Sequence, residues 1–459
     1  MHRIRTRKKI VDPSKRFGIL GLGKSGRSAA SFLIKQGYTV TIADDNPDVF
    51  ETSDVRSLLK RGALRDAGNM ELNCDYLVVS PGVNPSHPAI ILARDNCAIM
   101  SELELAYHHC SGRILSITGS DGKSTTCALL AHVLEHAGYD VVLTGNIGIP
   151  FTSVVDRLDS NSFAVVEVSS YQLELTEVFA SDAAAILNLA PDHLTRHGSM
   201  DAYAAAKARI FLLQDSNGWK VINADQPELR NLLPPDSDRC MTFSLEESQR
   251  FGSWLEDGEL WYQTPDSDPV SVMPASDLRV IGRHNVANAL AVIALTVPFE
   301  IETSKLTRGL SSFPGLPHRL ERIGTSNGIL YINDSKATNS HAALNGLVCF
   351  SSPLIVLMGG KDKGLSFTEL LPALRTRARA VIAFGESGSR IRRELGTEIT
   401  TQLADDLDEA LYKALLIAQH GDIVILSPAC SSFDQYRSFE ERGDHFRSLV
   451  TSLPNFAAK

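Results

Sequence analysis

Short apolar runs recur along the chain, each followed by a turn and then by a stretch with helical spacing. Strand, turn and amphipathic helix in alternation imply parallel sheets, because a parallel neighbour needs a crossover long enough to hold a helix. The alternation falls into three blocks. The first contains RFGILGLG, TVTIAD and DYLVVSPG. The second contains RILSITGS, FAVVEV, AAILNL and WKVINA, and the third GILYIND, PLIVLMGG, RAVIAFG and DIVILSPA. Pro and Gly interrupt the pattern near MSELELA and SSFPGLPHR, which sets expected domains at 1–104, 105–314 and 315–459. Cys240 to Pro274 reads as a small β excursion inside the second block.

Composition narrows the class without changing this picture. A chain of 459 residues is long enough for two to four cores, and 43% hydrophobic with 22% charged residues is ordinary for a soluble globular protein. The net charge of −9 argues against a nucleic-acid partner. Seven cysteines without a C-x-x-C pair argue against a disulfide framework and a structural zinc, and fit a reducing cytosol. The longest apolar run, ALAVIALTVPF, is too short to span a bilayer. The basic start, MHRIRTRKKIV, lacks the apolar core of a signal peptide and reads as a solvated tail before the first strand.

The strongest chemical signal is SITGSDGKSTT, Ser116 to Thr126. It has Gly-x-x-Gly-Lys-Ser but lacks the outer glycine of the longer phosphate loop, where Ile117 stands. Strand, glycine turn and helix from about Lys123 make an anion site of the helix N-terminus. Gly119 and Gly122 let the backbone approach phosphates, Lys123 reaches the β/γ-phosphates, and the Ser124 hydroxyl suits Mg²⁺. A second glycine pattern, Gly21, Gly23 and Gly26, precedes Asp44 and Asp45. On the motif alone it is a dinucleotide site with Asp44 on a ribose hydroxyl, or a place to hold a nucleotide-linked substrate.

Other candidates stand after the strands, where parallel sheets carry their sites. Glu167 ends a buried strand close to the phosphate loop and suits Mg²⁺. PDHLTRH offers Asp192, His193 and His197, and His193 is either a metal ligand or a loop histidine. Lys207, on an alanine-rich helix, reads as a solvated lysine. Asn285 and Asn288 either cap their helix or touch a ligand. His318 and Arg319 lie in a Pro-Gly loop between blocks, and Arg319 is a candidate γ-phosphate contact. Asp334, Lys336 and Thr338 follow the third block's first strand; Ser431, Ser432 and Phe439 follow its last.

Taken together, these segments resemble the Mur ligases, ATP-dependent amino-acid ligases of peptidoglycan precursor synthesis. TGSDGKST looks like the family's short phosphate loop, and GNIG, EVSSYQLE, DHL, the Lys207 helix, HNVANALA, GLPHR and NDSKATN follow in the family's order. NDSKATN and SPACSSFDQ point to the glutamate-adding branch; the Asn-Pro-Arg motif expected of the diaminopimelate- and lysine-adding branch is not found.

The resemblance implies three domains: a Rossmann-like domain for a UDP-sugar, a central phosphate-loop ATPase domain on a mostly parallel sheet, and a Rossmann-like C-terminal domain. The substrates implied are UDP-N-acetylmuramoyl-L-alanine, glutamate and ATP, with two Mg²⁺ ions, in a cytoplasmic monomer. Lys24, Ser25, Asp44, Asp45 and Ser80 match uridine diphosphate contacts, and Asn146 matches a sugar-nucleotide contact. Gly119, Ser120, Asp121, Gly122, Lys123, Ser124 and Thr125 match the ATP loop, with Asp121 where many relatives have Asn. Ser124, Glu167 and His193 match the metal side, and Lys207 matches a carbamylated lysine that ligates the second Mg²⁺ in place of a solvated ammonium. Asn285 and Asn288 match adenine-region contacts; Arg319, Asp334 and Lys336 complete the ATP site. Thr338, Lys363, Ser432 and Phe439 match positions around the amino acid, with Lys361 the alternative to Lys363.

The reaction implied activates the alanyl carboxylate as an acyl phosphate, which the glutamate amine attacks. Lys123, Glu167, His193, Lys207 and Arg319 are the residues expected to carry it. Competing readings are a related ligase for L-glutamate or another amino acid, a folylpolyglutamate synthase, an NAD-dependent oxidoreductase built on GLGKSG, and a nucleotide-driven switch. NDSKATN and SPACSSFDQ disfavour the folate enzyme, and an oxidoreductase leaves the phosphate loop, Glu167 and His193 without a task.

Overall fold

Three α/β sheets, all mostly parallel, carry the chain in this computed structural model. It describes residues 12–66, 68, 72–235, 237–264, 267–362, 364 and 366–458. The basic tail read from the sequence lies outside the described residues. The first sheet has five parallel strands in the spatial order Leu64–Arg65, Thr39–Ala43, Arg16–Leu20, Tyr76–Val79 and Ala98–Ser101. Phe17, Ile19, Val40, Ile42 and Val78 are buried in it, with Ala29, Ala30 and Leu33 of helix Lys24–Lys35 packed among them. The strand order reverses between Arg16–Leu20 and Tyr76–Val79, which is where open α/β sheets bind ligands.

The second sheet has nine strands. Seven run parallel in the order Gly252–Glu256, Cys240–Ser244, Trp219–Asn223, Ala183–Ile186, Arg113–Thr118, Phe163–Glu167 and Val141–Gly145. Glu259–Gln263 and Val270–Pro274 extend it antiparallel. The expected β excursion is therefore an extension of this sheet's edge. Its hairpin turns at Asp257 and Gly258, both at positive φ, as a two-residue turn between twisted strands requires. Phe163–Glu167 is buried at all five positions, which explains its unbroken apolar run.

The third sheet has the order Thr401–Ala404, Ala378–Phe384, Leu354–Gly359, Ile423–Leu426, Ile329–Asn333, Glu321–Ser326 and Ala457–Ala458, the last two joined antiparallel. The described chain forms two compact units. One comprises residues up to 277 together with 286–312 and holds the first two sheets; the other comprises 278–285 and residues from 313 on and holds the third. Among the described residues no helix is long and apolar enough to cross a membrane.

Within the first unit, helix Glu102–His109 follows the first sheet and precedes the second. Its buried Glu102 accepts hydrogen bonds from the backbone N–H (2.6 Å) and hydroxyl (2.7 Å) of Thr152, and that hydroxyl also meets Ser28 of the first domain at 2.7 Å. Glu104, also buried, accepts the backbone N–H groups of Glu177 and Val178.

Gly26 shows how closely the first nucleotide-type turn is packed. A Cβ there would stand 1.9 Å from the Gly21 carbonyl oxygen and 2.8 Å from the Ser80 hydroxyl. Gly26→Ala is expected to destabilise the first domain by about 2–3 kcal/mol. Urea unfolding followed by fluorescence checks this, and an unchanged midpoint would show that the turn relaxes freely.

Candidate active site

The strand Arg113–Thr118 lies between Phe163–Glu167 and Ala183–Ile186, so the loop after it emerges between two neighbours. The chain leaves through Gly119 (φ 154°) and enters helix Lys123–His136 through Gly122 (φ 81°). Gly122 is required twice over: its φ is left-handed, and a Cβ would stand 2.6 Å from Asn288 Oδ1. Asn188, just after Ala183–Ile186, clamps the loop. Its Oδ1 accepts the N–H groups of Ser120 (3.0 Å) and Asp121 (2.8 Å), and its Nδ2 donates to the Asp121 carbonyl (3.1 Å). The Ser120 hydroxyl is tied to Ala190 and to the Tyr203 hydroxyl, at 2.9 and 3.1 Å. Ser124 and Thr125 stand partly exposed in the first helical turn.

Two lysines converge on this loop. Lys123 Nζ donates to the carbonyls of Gly119 (2.8 Å) and Ser120 (2.7 Å). Lys207 Nζ donates to the same Gly119 carbonyl (2.8 Å) and to the Thr118 hydroxyl (3.3 Å), and lies 4.5 Å from the Tyr203 ring centre. Lys207 is 1% exposed, so the solvated lysine suggested by its alanine-rich helix is overturned. Burial first, and then Lys123, pushes its amine down to about 7, against the opposing pull of Asp192, Asp121 and Glu167.

Glu167 pairs in register with Ile117 and is buried at the carboxyl end of its strand. Asn146 holds it: the Asn146 side chain donates to Oε1 at 2.7 Å, and its backbone N–H donates to the Glu167 carbonyl at 2.8 Å. Oε2 is buried and has no hydrogen-bond partner among the described residues. His193 sits in left-handed backbone (φ 52°), half exposed, with Nε2 3.3 Å from Asp192 Oδ2 and its ring 5.0 Å from that of Tyr171. His197 is turned inward between Glu174 (3.1 Å) and the Ser170 hydroxyl (3.0 Å), and burial lowers its pKa.

Mg²⁺ prefers few protein oxygens plus phosphate and water. Among the described residues no group of three or more His, Cys, Asp or Glu forms a ready-made cage. The unpartnered Glu167 oxygen near the loop's helix N-terminus, with a serine hydroxyl at its second position, fits a metal that is completed by a nucleotide.

In the first domain, Asp44 uses both oxygens on backbone, accepting Leu22 N–H at 2.6 Å and Asn46 N–H at 2.9 Å. Asp45 meets His87 at 3.0 Å, and the Ser80 hydroxyl donates to the Gly21 carbonyl at 2.6 Å. Lys24 is exposed and Ser25 partly so, at the start of helix Lys24–Lys35.

In the second unit the predicted residues gather at strand ends. Asp334 is buried, accepting Leu320 N–H and the Ser427 hydroxyl, both at 3.2 Å. Burial pushes its carboxyl up to about 7, opposed by those bonds and by Arg319. Arg319 is exposed. Lys336 Nζ lies 3.9 Å from the Phe439 ring centre, and Thr338 N–H donates to the Lys336 carbonyl at 2.8 Å. The Asn285 side chain donates to the Ile281 carbonyl at 2.7 Å. Ser432 is buried; Lys361 is paired with Glu386 at 2.7 Å, and Lys363 lies outside the described residues.

Sequence reasoning passed over Asn188, Tyr203, Arg196 and Arg442. Arg442 is wholly buried and donates to Ser335, Gly359 and Cys430, tying three strand-end loops together. Tyr203 stands one turn before Lys207, a spacing that could have flagged it. Asn188 and Arg442 act through loops distant in sequence and leave no local signal.

Residues 15–100 match the Mur ligase MurD-like N-terminal domain, 117–296 the Mur ligase middle domain, and 318–430 the Mur ligase glutamate ligase domain. The chain belongs to the Mur ligase family. A UDP-N-acetylmuramoylalanine–D-glutamate ligase of Salinibacter ruber is 39% identical over 95% of this Mur ligase and 97% of its own length. One from Koribacter versatilis is 36% identical over 96% and 98%. Among solved structures, MurF of Acinetobacter baumannii (TM-score 0.60, 17% identity, covering 95% of this chain and 94% of its own) and UDP-N-acetylmuramate-alanine ligase MurC of Thermotoga maritima (0.58, 20%, 95% and 99%) share the fold.

An anion buried with one oxygen unpaired is costly in the free protein. Glu167→Gln, which keeps an acceptor for Asn146, is expected to raise the unfolding free energy of metal-free protein by about 1 kcal/mol while abolishing turnover. Thermal unfolding in EDTA alongside an activity assay tests both halves.

Proposed function

We propose that this Mur ligase joins D-glutamate to UDP-N-acetylmuramoyl-L-alanine at the expense of ATP, in the cytoplasm, as a monomer. The observation that carries the reading is end-to-end relationship with ligases of that name, at 36–39% identity over at least 95% of both chains. Matches to a MurD-like N-terminal domain and to a glutamate ligase domain support the two substrate assignments. We assign 1–104 to the UDP-sugar, 105–314 to ATP and 315–459 to the amino acid.

An unactivated carboxylate does not form an amide in water, because its oxygen is a poor leaving group. Transfer of the ATP γ-phosphoryl to the alanyl carboxylate makes an acyl phosphate. The glutamate amine adds to its carbonyl, and the tetrahedral species collapses with loss of phosphate. Positioning and charge neutralisation do most of this work. The loop amides of 119–124 cradle the phosphates, and Lys123 turns from its two loop carbonyls onto the β/γ-phosphates. We assign Asn285 and Asn288 to the adenine end of ATP, and Asp334, Lys336 and Arg319 to its γ-phosphate end. Thr338, Lys363, Ser432 and Phe439 receive glutamate.

Ser124, Glu167, His193 and Lys207 would hold Mg²⁺, which offsets the repulsion between carboxylate and γ-phosphate when bound. For Lys207 the relevant form is a carbamate. Only a neutral amine attacks CO₂, and burial, with Lys123 second, depresses the Lys207 pKa to about 7, so a substantial share of the amine is neutral near pH 7. The N–C bond forms, the amine proton leaves to solvent, and an anionic oxygen replaces a cation.

Phosphate release is expected only when ATP, UDP-N-acetylmuramoyl-L-alanine and D-glutamate are all present. Release with L-glutamate alone would keep the chemistry and change the amino acid; release independent of both would overturn the reading in favour of a nucleotide switch. Lys123→Ala should remove turnover and leave UDP-sugar binding by calorimetry nearly intact.

At fixed dissolved CO₂, activity should rise with pH through about 7 as Lys207 loses its proton. Lys207→Ala should lose activity and regain part of it with a short-chain carboxylate added. Absence of rescue would count against the carbamate.

A further inference from the structure

One arginine joins the loop after the fourth strand of the first sheet's chain order to the segment that carries His193. Arg196 donates through Nη1 to the Pro81 carbonyl (3.2 Å) and through Nη2 to the Val83 carbonyl (3.3 Å). Nη2 also pairs with Glu174 Oε2 at 2.8 Å, with Nε 3.3 Å from the same oxygen. The guanidinium carbon lies over the Tyr171 ring, 4.1 Å from its centre. The same ring faces His193 at 5.0 Å and His197 at 5.6 Å. Glu174 spends its other oxygen on His197, 3.1 Å away, so one carboxylate orients both neighbours.

This cluster is built, not incidental. Arg196 and Glu174 side chains are only 15% and 19% exposed, and Arg196 N–H closes back on the His193 carbonyl at 3.0 Å. Moving residues 81–83 therefore moves the guanidinium, and the guanidinium cannot move without shifting Tyr171, Glu174 or the turn at His193. Lysine could not reproduce this, since a point charge has neither the fork for two carbonyls and a carboxylate nor a face for the ring.

We propose that Arg196 is a positioning residue that transmits occupancy of the first domain's nucleotide loop to the His193 turn, so that binding of the uridine diphosphate part orders the catalytic segment before chemistry. This rests on the assignment of that loop to the UDP-sugar made above. No contact between nucleotide and His193 is needed for the effect.

The test is hydrogen exchange on the full chain with UDP alone, which carries only the part assigned to the first domain. In the wild type, UDP should slow exchange at 21–26 and 80–83, and also about fivefold or more at 192–198, the scale of an ordinary coupling between sites. In Arg196→Ala, protection at 80–83 should persist while that at 192–198 falls below about twofold. Arg196→Lys, which keeps the charge and is the milder test of folding, should lose most of the coupling too.

Protection at 80–83 without any at 192–198 in the wild type, or retained protection at 192–198 in both variants, overturns the proposal alone. Absence of protection in the first domain overturns the UDP assignment, and the proposal with it. In the forward reaction, Arg196→Lys should raise KM for the UDP-sugar and lower kcat while leaving KM for ATP within about twofold, because the loop clamp at Asn188 does not involve Arg196.

Discussion

Two lysine amines share one carbonyl oxygen. Lys123 and Lys207 both donate to Gly119, and this shared bond organises much of the central site. Like charges this close in a partly buried place disfavour double protonation, and the deeper lysine yields. Its environment is set by Tyr203 beneath it and by the Thr118 hydroxyl beside it, both positioned by the central sheet and the helix packed on it. The phosphate loop must be rigid for the arrangement to exist. Asn188 supplies that rigidity by imitating a neighbouring strand, accepting two backbone N–H groups and returning one. In the proposed complex with ATP, the phosphates would offer Lys123 a better partner than a carbonyl, and the conflict between the lysines would be relieved.

A second constraint runs along the neighbouring strand. Glu167 keeps one oxygen on Asn146 and leaves the other unpaired in a buried position. Proteins seldom leave a buried carboxylate oxygen without a donor, and this one suits the metal-holding role proposed for Glu167. Gly145 is fixed by the same geometry, since a Cβ there would stand 2.3 Å from the Glu167 carbonyl oxygen. The GNIG turn and the carboxylate thus form one unit, although 21 residues separate Asn146 from Glu167.

Much of this was legible in the sequence because parallel sheets write themselves plainly. Their strands are unbroken apolar runs, and their ligand groups come just after them. FAVVE and SITGSDGKS announce both the strand and the site. The helix holding Lys207 was not legible on residues alone. Alanine fills MDAYAAAKARIFL on all sides, so there is no polar stripe to say which face is solvated. Family resemblance placed that lysine inward, and the fold agrees on burial for a physical reason: small side chains let the helix lie close to the sheet. Asn188, Arg196 and Arg442 stayed hidden because each acts on backbone far along the chain, where spacing carries no information.

Arg442 and Arg196 use the same chemistry for different ends. Both spread their donors over carbonyl groups of separate loops. Arg442 is buried completely, and none of its hydrogen bonds goes to a carboxylate; burial lowers its pKa to about 10, still far above neutrality. A charge so placed is solvated by fixed dipoles at the ends of three strands, and its cost is acceptable only while those loops stay in place. Arg196 has a carboxylate and an aromatic ring and keeps some exposure, so its loops can shift at smaller cost. The difference separates a pin from a coupling. A fully enclosed guanidinium fixes its loops in one arrangement, whereas a partly open one with alternative partners can follow a ligand.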